Sequence, residues 1–314
     1  MAVYTKISKE NLISFLNNYE IGNLEDFEGI LEGVENTNYK LTTTEGKFIL
    51  TIFEKRVNQE ELPFFVDLQK YLSSKKIKCP MPVSDKKNQY INKIKNKNSI
   101  IMSFLHGTQL QEVLPSHCYL LGEEIARIHK ETINLHLNRK NNLDQLSWNK
   151  IFVKCKQVKK NNYSDLYDTI EKELLFLQKN WPNNLPKGII HADIFQDNVF
   201  FINNKLSGLI DFYFACNDFF AYELAICINA WCFERNNNFS LDRCNSLIDG
   251  YQSIHKLDEI EIKNLRLLLR GAAMRFLLTR LHDQLFFEAD AFVKAKDPME
   301  YYKILKFHQN NSII

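Results

Sequence analysis

The stretch of the sequence that most constrains the fold runs from residue 188 to residue 212 and reads GIIHADIFQDNVFFINNKLSGLIDF. Two apolar runs, Val199 to Ile202 and Leu206 to Ile210, flank the tripeptide Asn203-Asn204-Lys205. Asparagine tolerates the left-handed backbone conformation that tight hairpin turns require, so this pattern predicts a β-hairpin. Because the two ends of a hairpin lie close together, the residues just outside it are expected to converge.

The residues at the two ends of this hairpin suit phosphoryl-transfer chemistry. His191, Asp193 and Asn198 precede the first strand, and Asp211 follows the second. Mg²⁺ prefers hard oxygen ligands, and phosphoryl transfer depends mainly on positioning and on neutralising phosphate charge. The pattern therefore predicts that Asp193 orients and deprotonates an attacking hydroxyl, with Asn198 and Asp211 holding the metal. Since H-x-D-x-x-x-x-N fixes only three positions, ordinary loop caps and turn residues are the alternative.

Composition excludes several other classes of protein. The 314 residues carry a net charge of +2, which indicates neither a nucleic acid nor a membrane surface as partner. Hydrophobic residues make up 45% of the chain, enough for a substantial core. The seven cysteines form no C-x-x-C pair, and no secretory signal or membrane-spanning run is visible. These features predict a folded cytoplasmic protein with free thiols.

Hydrophobic periodicity divides the chain into an N-terminal unit, residues 1–105, and a C-terminal unit, residues 106–314. The first is rich in predicted strands, including a hairpin around Thr44-Glu45-Gly46, and has one or two helices. The Asn/Lys-rich patch from Asn88 to Asn98 is interpreted as a solvated loop. The second unit is mainly helical, so the fold class is α+β. Its predicted helices are Tyr119 to Lys130, Tyr163 to Lys179, Tyr222 to Phe233, Leu241 to Tyr251 and Ile260 to Phe287.

The motif H-x-D-x-x-x-x-N followed by I-D-F resembles the aminoglycoside phosphotransferase and choline kinase group, which are relatives of protein kinases. The run Leu121 to His129 is similar to the helix before that group's catalytic loop. Within the group, the chain resembles the homoserine kinases of this fold, and the likeness extends over almost its whole length. The stretches that carry it are Gly33 to Tyr39, Glu61 to Phe65, HADIFQDNVFF, GLIDFYFACND and YELAICINAWCFE.

The resemblance implies a bilobal, protein-kinase-like fold that binds ATP and magnesium between its lobes. It implies transfer of the γ-phosphoryl group to the side-chain hydroxyl of L-homoserine, a step of threonine biosynthesis. Asp193 matches the family's catalytic aspartate, and Asn198 and Asp211 match its metal-binding pair. The residues that the resemblance assigns to the nucleotide are Gly33, Val34, Asn36 and Asn38 in a turn over the phosphates, and Met102 and Phe104 at the adenine edge.

One position departs from the wider group. Its kinases carry a lysine on the third strand that grips the α- and β-phosphates, and here that position is occupied by Thr51. Lys47 and Lys55 lie four residues away, about 13 Å along an extended strand. Lys55 and Arg56 are candidate substitutes, and the alternative is a solvated strand end. The homoserine kinase branch is similar to this chain in having the threonine.

The acceptor pocket of a small zwitterion should offer a guanidinium to the carboxylate and oxygen atoms to the ammonium group. The candidates for these contacts are Tyr213, Asn217, Asn229, Trp231, Arg275 and Arg280. The alternative is that Tyr213 and Trp231 are core residues and that the arginines are exposed or form salt bridges. Glu223 is expected to cap or brace its helix.

Two other functions stay open at this level. A sister kinase acting on choline, ethanolamine or an aminoglycoside is the first, although the C-terminal half lacks the acidic surplus that a polycationic substrate favours. A catalytically inactive nucleotide-binding regulator is the second, since the strand lysine is missing. Nothing in the sequence predicts an oligomeric state.

Overall fold

The computed structural model describes residues 4–31, 36–54, 58–158, 162–286 and 295–313. Its contacts divide the chain into two compact units. The N-terminal unit comprises Met1–Gly107 and Ser207–Tyr213, and the C-terminal unit comprises Thr108–Leu206 and Phe214–Ile314. The mixed α+β composition that the sequence predicts is confirmed.

The N-terminal unit is built on an antiparallel sheet. Its strands are β1 (Leu24–Ile30), β2 (Thr37–Thr43), β3 (Gly46–Ile52), β4 (Pro82–Val83), β5 (Asn92–Ile94) and β6 (Lys97–Ser103). They lie in the order β1-β2-β3-β6-β4, and β5 also pairs with β6. The unit's helices are α1 (Lys9–Leu16) and α2 (Leu62–Ser74). Apolar side chains of α1 pack in one buried cluster with strand residues such as Leu41, Leu50 and Ile101.

Two local expectations for this unit have different outcomes. The predicted hairpin is present as β2 and β3, and Gly46 in its turn has a φ of +138°. The solvated loop expected from Asn88 to Asn98 is wrong in part, because β5 and the start of β6 lie there. Lys95 and Asn96 between them adopt positive φ angles of 47° and 63°. The polar composition hid this hairpin because only Ile94 of β5 is buried.

The C-terminal unit is mainly helical, as expected. Its helices are α3 (Pro115–Thr132), α4 (Gln145–Lys156), α5 (Tyr167–Asn180), α6 (Phe220–Trp231), α7 (Leu241–Ile254), α8 (Glu259–Phe286) and α9 (Pro298–Asn310). Helices α3 and α7 touch backbone to backbone, because a Cβ atom on Gly122 would lie 2.1 Å from the Leu247 carbonyl oxygen. None of the helices in the described ranges is both long enough and apolar enough to cross a bilayer.

Four short strands lie in or next to the segment of residues 188–212. Strands β7 (Lys187–Ile190) and β10 (Cys216–Phe219) pair antiparallel. Strands β8 (Val199–Ile202) and β9 (Lys205–Leu209) form the predicted hairpin, with Asn203 and Asn204 at positive φ angles of 49° and 59°. The chain passes from the C-terminal unit to the N-terminal unit within β9.

The return of the chain to the N-terminal unit has a local cause. The Leu209 amide donates a hydrogen bond of 2.9 Å to the Lys78 carbonyl oxygen, and Gly208 has a φ of +157°. A Cβ atom at Gly208 would lie 2.4 Å from the same oxygen, so only glycine fits there without a shift. The sequence suggested a single boundary after residue 105, whereas Ser207–Tyr213 packs with the N-terminal unit.

Candidate active site

The loop between β7 and β8 holds Asp193 in place through Asn198. The Asn198 side-chain nitrogen donates hydrogen bonds to the Asp193 carbonyl oxygen at 2.9 Å and to its carboxylate Oδ2 at 3.1 Å. A short 3₁₀ turn, Gln196–Asn198, brings the asparagine back over the aspartate. Asn198 is buried, so the pair is held as a unit. The sequence-predicted pair of Asp193 and Asn198 is therefore brought together within the C-terminal unit.

A strained residue next to Asp193 is held by two buried charged side chains. Ala192 has a φ of +64°, a conformation that costs a non-glycine residue of order 1–3 kcal/mol. Its amide donates to Glu223 at 2.9 Å, and its carbonyl oxygen accepts from Arg275 at 2.7 Å. The Glu223 carboxylate also accepts the His191 amide. Because charged groups form the stronger hydrogen bonds, Glu223 and Arg275 can offset the strain and fix the loop.

Glu223 itself lies in a buried polar cluster on α6. The side chain is 1% exposed, and His129 Nε2 lies 3.9 Å from its Oε2 atom. His129 Nδ1 is 2.9 Å from the Tyr251 hydroxyl oxygen. Burial lowers the pKa of His129, which favours the neutral imidazole. These contacts agree with a structural role for His129.

Packing around Asp193 changes its acidity. Burial raises the pKa of Asp193 to about 6 from an ordinary value of 3.8. The positive charge of Arg275 opposes this shift, the negative charge of Asp197 adds to it, and Lys296 and the bond from Asn198 also oppose it. A carboxylate with a raised pKa is a stronger base than a solvated aspartate. This is the property that a proton acceptor working near neutral pH requires.

Asp211 belongs to the N-terminal unit and also has a strained backbone. Its φ is +66°, which is uncommon for a residue other than glycine. Its negative charge, after the larger effect of burial, raises the pKa of Tyr213. The Thr51 hydroxyl donates to Asn38 Oδ1 at 2.7 Å. Backbone strain of this kind clusters at functional sites.

The residues expected to contact nucleotide lie in the N-terminal unit or outside the described residues. Gly33, Val34, Lys55 and Arg56 fall outside them. The side chains of Asn36 and Asn38 both accept hydrogen bonds within the unit. Asn36 Oδ1 accepts from the Glu54 amide at 3.3 Å, and Asn38 Oδ1 accepts from the Thr51 hydroxyl.

The edge expected to contact adenine is part of the sheet. Met102 on β6 is 5% exposed and pairs with Ile49. The Phe104 amide donates to the Lys47 carbonyl oxygen at 3.3 Å, which continues the ladder past the end of β6. Lys47 lies opposite Thr42 on β2, whereas Thr51 lies opposite Asn38. Lys47 and Thr51 are therefore four residues apart on the same extended strand. In this register, Lys47 does not take the place of the missing lysine.

Of four predicted acceptor-pocket residues, three are packed into the interior and one, Tyr213, is half-buried. Asn229 donates to the Leu269 carbonyl oxygen at 2.9 Å and pairs with His308 at 2.8 Å, and Trp231 donates to the Ile194 carbonyl oxygen at 2.9 Å. The Tyr213 ring makes edge contacts with Phe53 and Phe65 at centroid distances of 5.2 and 5.5 Å. For Tyr213 and Trp231, these contacts favour the alternative that they pack with the core and do not line an acceptor pocket.

The fourth of these residues, Arg275, contacts the loop and not an open pocket. It is 1% exposed, donates to the Ala192 carbonyl oxygen and lies 4.6 Å from the Phe276 ring centroid. Arg280 is 8% exposed and donates to Glu300 at 2.7 Å. A buried guanidinium that already binds backbone is placed to position the loop. Direct contact with a substrate carboxylate is therefore disfavoured in this geometry.

Two contributors to the loop were not identified as such from the sequence. Glu223 was expected to brace its own helix, and it instead binds the loop backbone from α6. Lys296 lies just before α9 and pairs with Asp197 at 3.1 Å. The only sequence signal for Glu223 is an acidic residue within an otherwise apolar helix, and its partner 32 residues away follows from the fold.

Changing Arg275 to lysine should separate positioning from substrate binding. Because Arg275 holds the carbonyl group next to Asp193, we expect kcat to fall by about ten- to a hundredfold through misplacement of the loop. The KM values for both substrates should stay within about twofold, since the loop is disturbed and not a binding contact. A selective rise in the KM of the acceptor would instead mean that Arg275 clamps its carboxylate. The matched control is Arg270→Lys on the same helix, where the guanidinium pairs with Glu173 at 2.6 Å.

Comparison with known proteins defines the class. The model of the phosphotransferase enzyme family matches residues 26–257, and the chain belongs to this family. A homoserine kinase of Parvibaculum lavamentivorans is 46% identical over 309 residues, which cover 98% of this chain and 96% of that protein. A homoserine kinase of Bartonella tribocorum is 45% identical over 99% of this chain and 97% of that protein. The resemblance inferred from the sequence motifs is thus confirmed.

A solved structure shows the same fold at low sequence identity. An amicoumacin kinase in complex with AMP-PNP, Ca²⁺ and its ligand superposes with a TM-score of 0.75. It is 15% identical and covers 98% of this chain and 95% of that chain. The likeness confirms the kinase-like fold class that the sequence predicts.

Proposed function

We propose that the protein is a homoserine kinase, which transfers the γ-phosphoryl group of ATP to the side-chain hydroxyl of L-homoserine in the cytoplasm. The product would be O-phospho-L-homoserine, an intermediate of threonine biosynthesis. The observation that carries the proposal is the fixed pair of Asp193 and Asn198 on a loop of a phosphotransferase-family chain. The near full-length similarity to proteins named homoserine kinase supports the choice of acceptor.

Asp193 would act on the acceptor hydroxyl. Its carboxylate would accept a hydrogen bond from the hydroxyl, orient it towards the phosphorus atom and take the proton as the new bond forms. Burial raises the pKa of Asp193 to about 6, so the group is mostly ionised at pH 7 yet basic enough to receive a proton. Glu223 and Arg275 would act through the loop backbone, as positioning residues.

The polar atoms of Asn198 suit a divalent cation. Both of its side-chain hydrogen bonds use the nitrogen, which leaves the oxygen Oδ1 as the atom available to a metal. Amide and carboxylate oxygens are ligands that Mg²⁺ accepts. We assign Mg²⁺ to Asn198 and Asp211. When bound, the ion would neutralise negative charge on the phosphate oxygens.

The N-terminal unit would supply the nucleotide contacts. Residues Gly33, Val34, Asn36 and Asn38 would lie over the phosphates, and Met102 and Phe104 would face the adenine. Asn38 accepts a hydrogen bond from the Thr51 hydroxyl on β3, and Asn36 accepts one from the amide of Glu54, which follows that strand. These hydrogen bonds would hold the turn over the phosphates in place, although position 51 is not a lysine.

The proposal is tested by a coupled ADP-release assay over homoserine, serine, threonine, choline, ethanolamine and an aminoglycoside. We expect homoserine to give the highest kcat/KM by at least about tenfold, because a kinase selects by contacts made in the transition state. A higher value for choline or an aminoglycoside would replace the acceptor in the proposal. Nucleotide binding without ADP release on any acceptor would identify an inactive regulator instead.

A further inference from the structure

A largely buried polar cluster lies just after β3 in the N-terminal unit. The Glu54 carboxylate is at its centre, and this side chain is 11% exposed. The carboxylate accepts hydrogen bonds from the hydroxyls of Thr5 at 2.7 Å and Thr37 at 2.8 Å. It also pairs with the ammonium group of Lys97, the first residue of β6. These four residues are called the Glu54 cluster below.

Thr37 joins residues 4–7 to the start of β2. Its hydroxyl oxygen accepts the amides of Tyr4 at 3.0 Å and Thr5 at 3.1 Å, while its proton is donated to Glu54. Thr37 is fully buried, so the one donor and both acceptor positions of this hydroxyl are used inside the protein. Thr37 is therefore the point at which this segment is bonded to the sheet.

Two more contacts hold residues 4–7 along the sheet. The Tyr39 hydroxyl on β2 donates to the Thr5 carbonyl oxygen at 2.9 Å. The Lys97 ammonium group donates to the Thr5 hydroxyl at 2.7 Å. The backbone and the side chain of Thr5 are thus both bonded to strand residues, which fixes the segment beside Thr37.

The charges within the Glu54 cluster balance. Burial alone would raise the pKa of Glu54, but the bonds from Lys97 and the two threonines hold that pKa below its ordinary value. The carboxylate is therefore ionised at neutral pH, and Lys97 supplies the matching positive charge. Because hydrogen bonds to charged groups are stronger than those between neutral groups, the cluster is a firm anchor.

The cluster is bonded to residues that are assigned to the nucleotide phosphates. Thr37 lies between Asn36 and Asn38 in the chain. The Glu54 amide donates to Asn36 Oδ1 at 3.3 Å, so the residue whose carboxylate holds Thr37 also holds the neighbouring asparagine. Asn38 is held separately, by the Thr51 hydroxyl at 2.7 Å. The backbone from Asn36 to Asn38 is therefore fixed by bonds on both sides of Thr37.

The Glu54 cluster acts from the face of β2 that Asn38 does not use. Successive side chains of a strand point to opposite faces, so Thr37 shares its face with Tyr39 and not with Asn38. Tyr39 packs in the buried cluster that contains the apolar residues of α1. This geometry suits a role in holding the strand end and not a direct contact with nucleotide.

We propose that the Glu54 cluster and residues 4–7 are positioning elements of the nucleotide site, which fix Asn36 and Asn38 for contact with the phosphates of ATP. The inference rests on the proposed kinase function. Binding to a backbone that is already ordered avoids the entropy cost of ordering it in the complex. The cluster would therefore raise the affinity for the phosphate part of the nucleotide and leave the affinity for adenosine unchanged.

Calorimetric titration of the full-length protein with a non-hydrolysable ATP analogue and Mg²⁺, and separately with adenosine, tests the proposal. Thr5→Val removes the hydroxyl that joins residues 4–7 to Glu54 and Lys97, and valine keeps the shape of the side chain. We expect the Kd of the ATP analogue to rise about tenfold, the equivalent of one further backbone residue to be ordered on binding. The Kd of adenosine should stay the same. Thr5→Ser keeps the hydroxyl and should bind both ligands as the wild type does.

Asp85→Ala is the matched control for a general loss of stability. Asp85 is 8% exposed in the same unit, and its carboxylate accepts the amides of Lys87 and Gln89 at 2.8 Å each. None of these partners belongs to the Glu54 cluster. Asp85→Ala should lower the unfolding temperature, as Thr5→Val does, and leave the Kd of the ATP analogue unchanged.

Two results would overturn the proposal. One is that Thr5→Val binds the ATP analogue as tightly as the wild type. The other is that the analogue and adenosine weaken by the same factor, or that Asp85→Ala weakens the analogue as much, because the effect would then be a general one. If the wild type binds the analogue but does not phosphorylate homoserine, the choice of acceptor fails and the positioning result still holds. A wild type that binds no ATP analogue would overturn both.

Discussion

Replacing Asp193 with asparagine is expected to lower kcat for homoserine phosphorylation by about 10²–10⁴-fold, the usual contribution of a general base. The fold and the loop should be retained, because asparagine has the same shape and can still accept the hydrogen bond that Asn198 donates at 3.1 Å. Binding of a non-hydrolysable ATP analogue, measured by calorimetry, should change little. Near-normal turnover would remove Asp193 from the chemistry.

The control for this variant lies on the same loop. Asp197 is half exposed and pairs with Lys296 at 3.1 Å. It therefore lies on the same loop as Asp193 and carries the same charge, but it is not enclosed by the protein. Exposed ion pairs contribute little, and Asp197→Asn should change kcat by no more than about twofold. Similar losses in the two variants would mean that the loop needs negative charge in general and not a base at Asp193.

The Asp193→Asn variant should be more stable than the wild type at high pH. Burial raises the pKa of Asp193 to about 6, whereas the unfolded carboxyl group titrates near 3.8. Well below pH 3.8 the carboxyl group is protonated in both states and has no cost; between pH 3.8 and 6 the unfolded state ionises first, so the folded state loses stability until the effect levels off above pH 6. At pH 8 in metal-free buffer, Asp193→Asn should gain about 1–2 kcal/mol in the free energy of unfolding, allowing for partial exposure. Urea titrations at pH 4 and pH 8 measure this, and a pH-independent difference would contradict the raised pKa.

Changing Glu223 to glutamine is expected to have the second largest effect. Its carboxylate accepts the backbone amides of both His191 and Ala192, and Ala192 at a φ of +64° depends on such support. Glutamine can accept only one of these bonds, since its NH₂ group would face the other amide. We expect kcat to fall by about a hundredfold and the free energy of unfolding to fall by about 2–4 kcal/mol.

Glu173→Gln separates the loss of activity from the loss of stability. Glu173 is also a buried carboxylate of the C-terminal unit, 3% exposed, and it forms a two-bond pair with Arg270. Its removal should destabilise the protein to a comparable extent and leave kcat within about twofold. If both variants lose activity in proportion to stability, Glu223 is a structural residue with no special relation to the loop.

Much of the functional loop could be predicted from local patterns. Two asparagines between apolar runs specify a hairpin through their own backbone preferences, and they adopt positive φ angles of 49° and 59°. A five-residue spacing places the Asn198 amide within reach of the Asp193 carboxylate through one short turn. These features depend on neighbouring residues, which is the range over which a sequence pattern carries information.

The acceptor contacts could not be predicted in the same way. Asn229 and Trp231 follow the aspartate motif in the sequence, yet helix α6 turns both side chains into the core. The sequence left Arg275 either as a contact of the acceptor carboxylate or as an exposed or salt-bridged residue, and the fold places it against the Ala192 carbonyl oxygen 83 residues away. Whether a polar side chain binds substrate or forms hydrogen bonds inside the core depends on which distant residues pack against it in the folded chain.

The amino-acid sequence by itself determined the hairpin, the order of polar groups around it and the family of the chain. Tertiary structure alone decided which charged residues hold the loop and which of the predicted acceptor contacts are buried in the core. The reason is physical: turn conformation follows from the preferences of a few adjacent residues, whereas burial and the pairing of buried charges depend on distant segments that meet only in the folded chain.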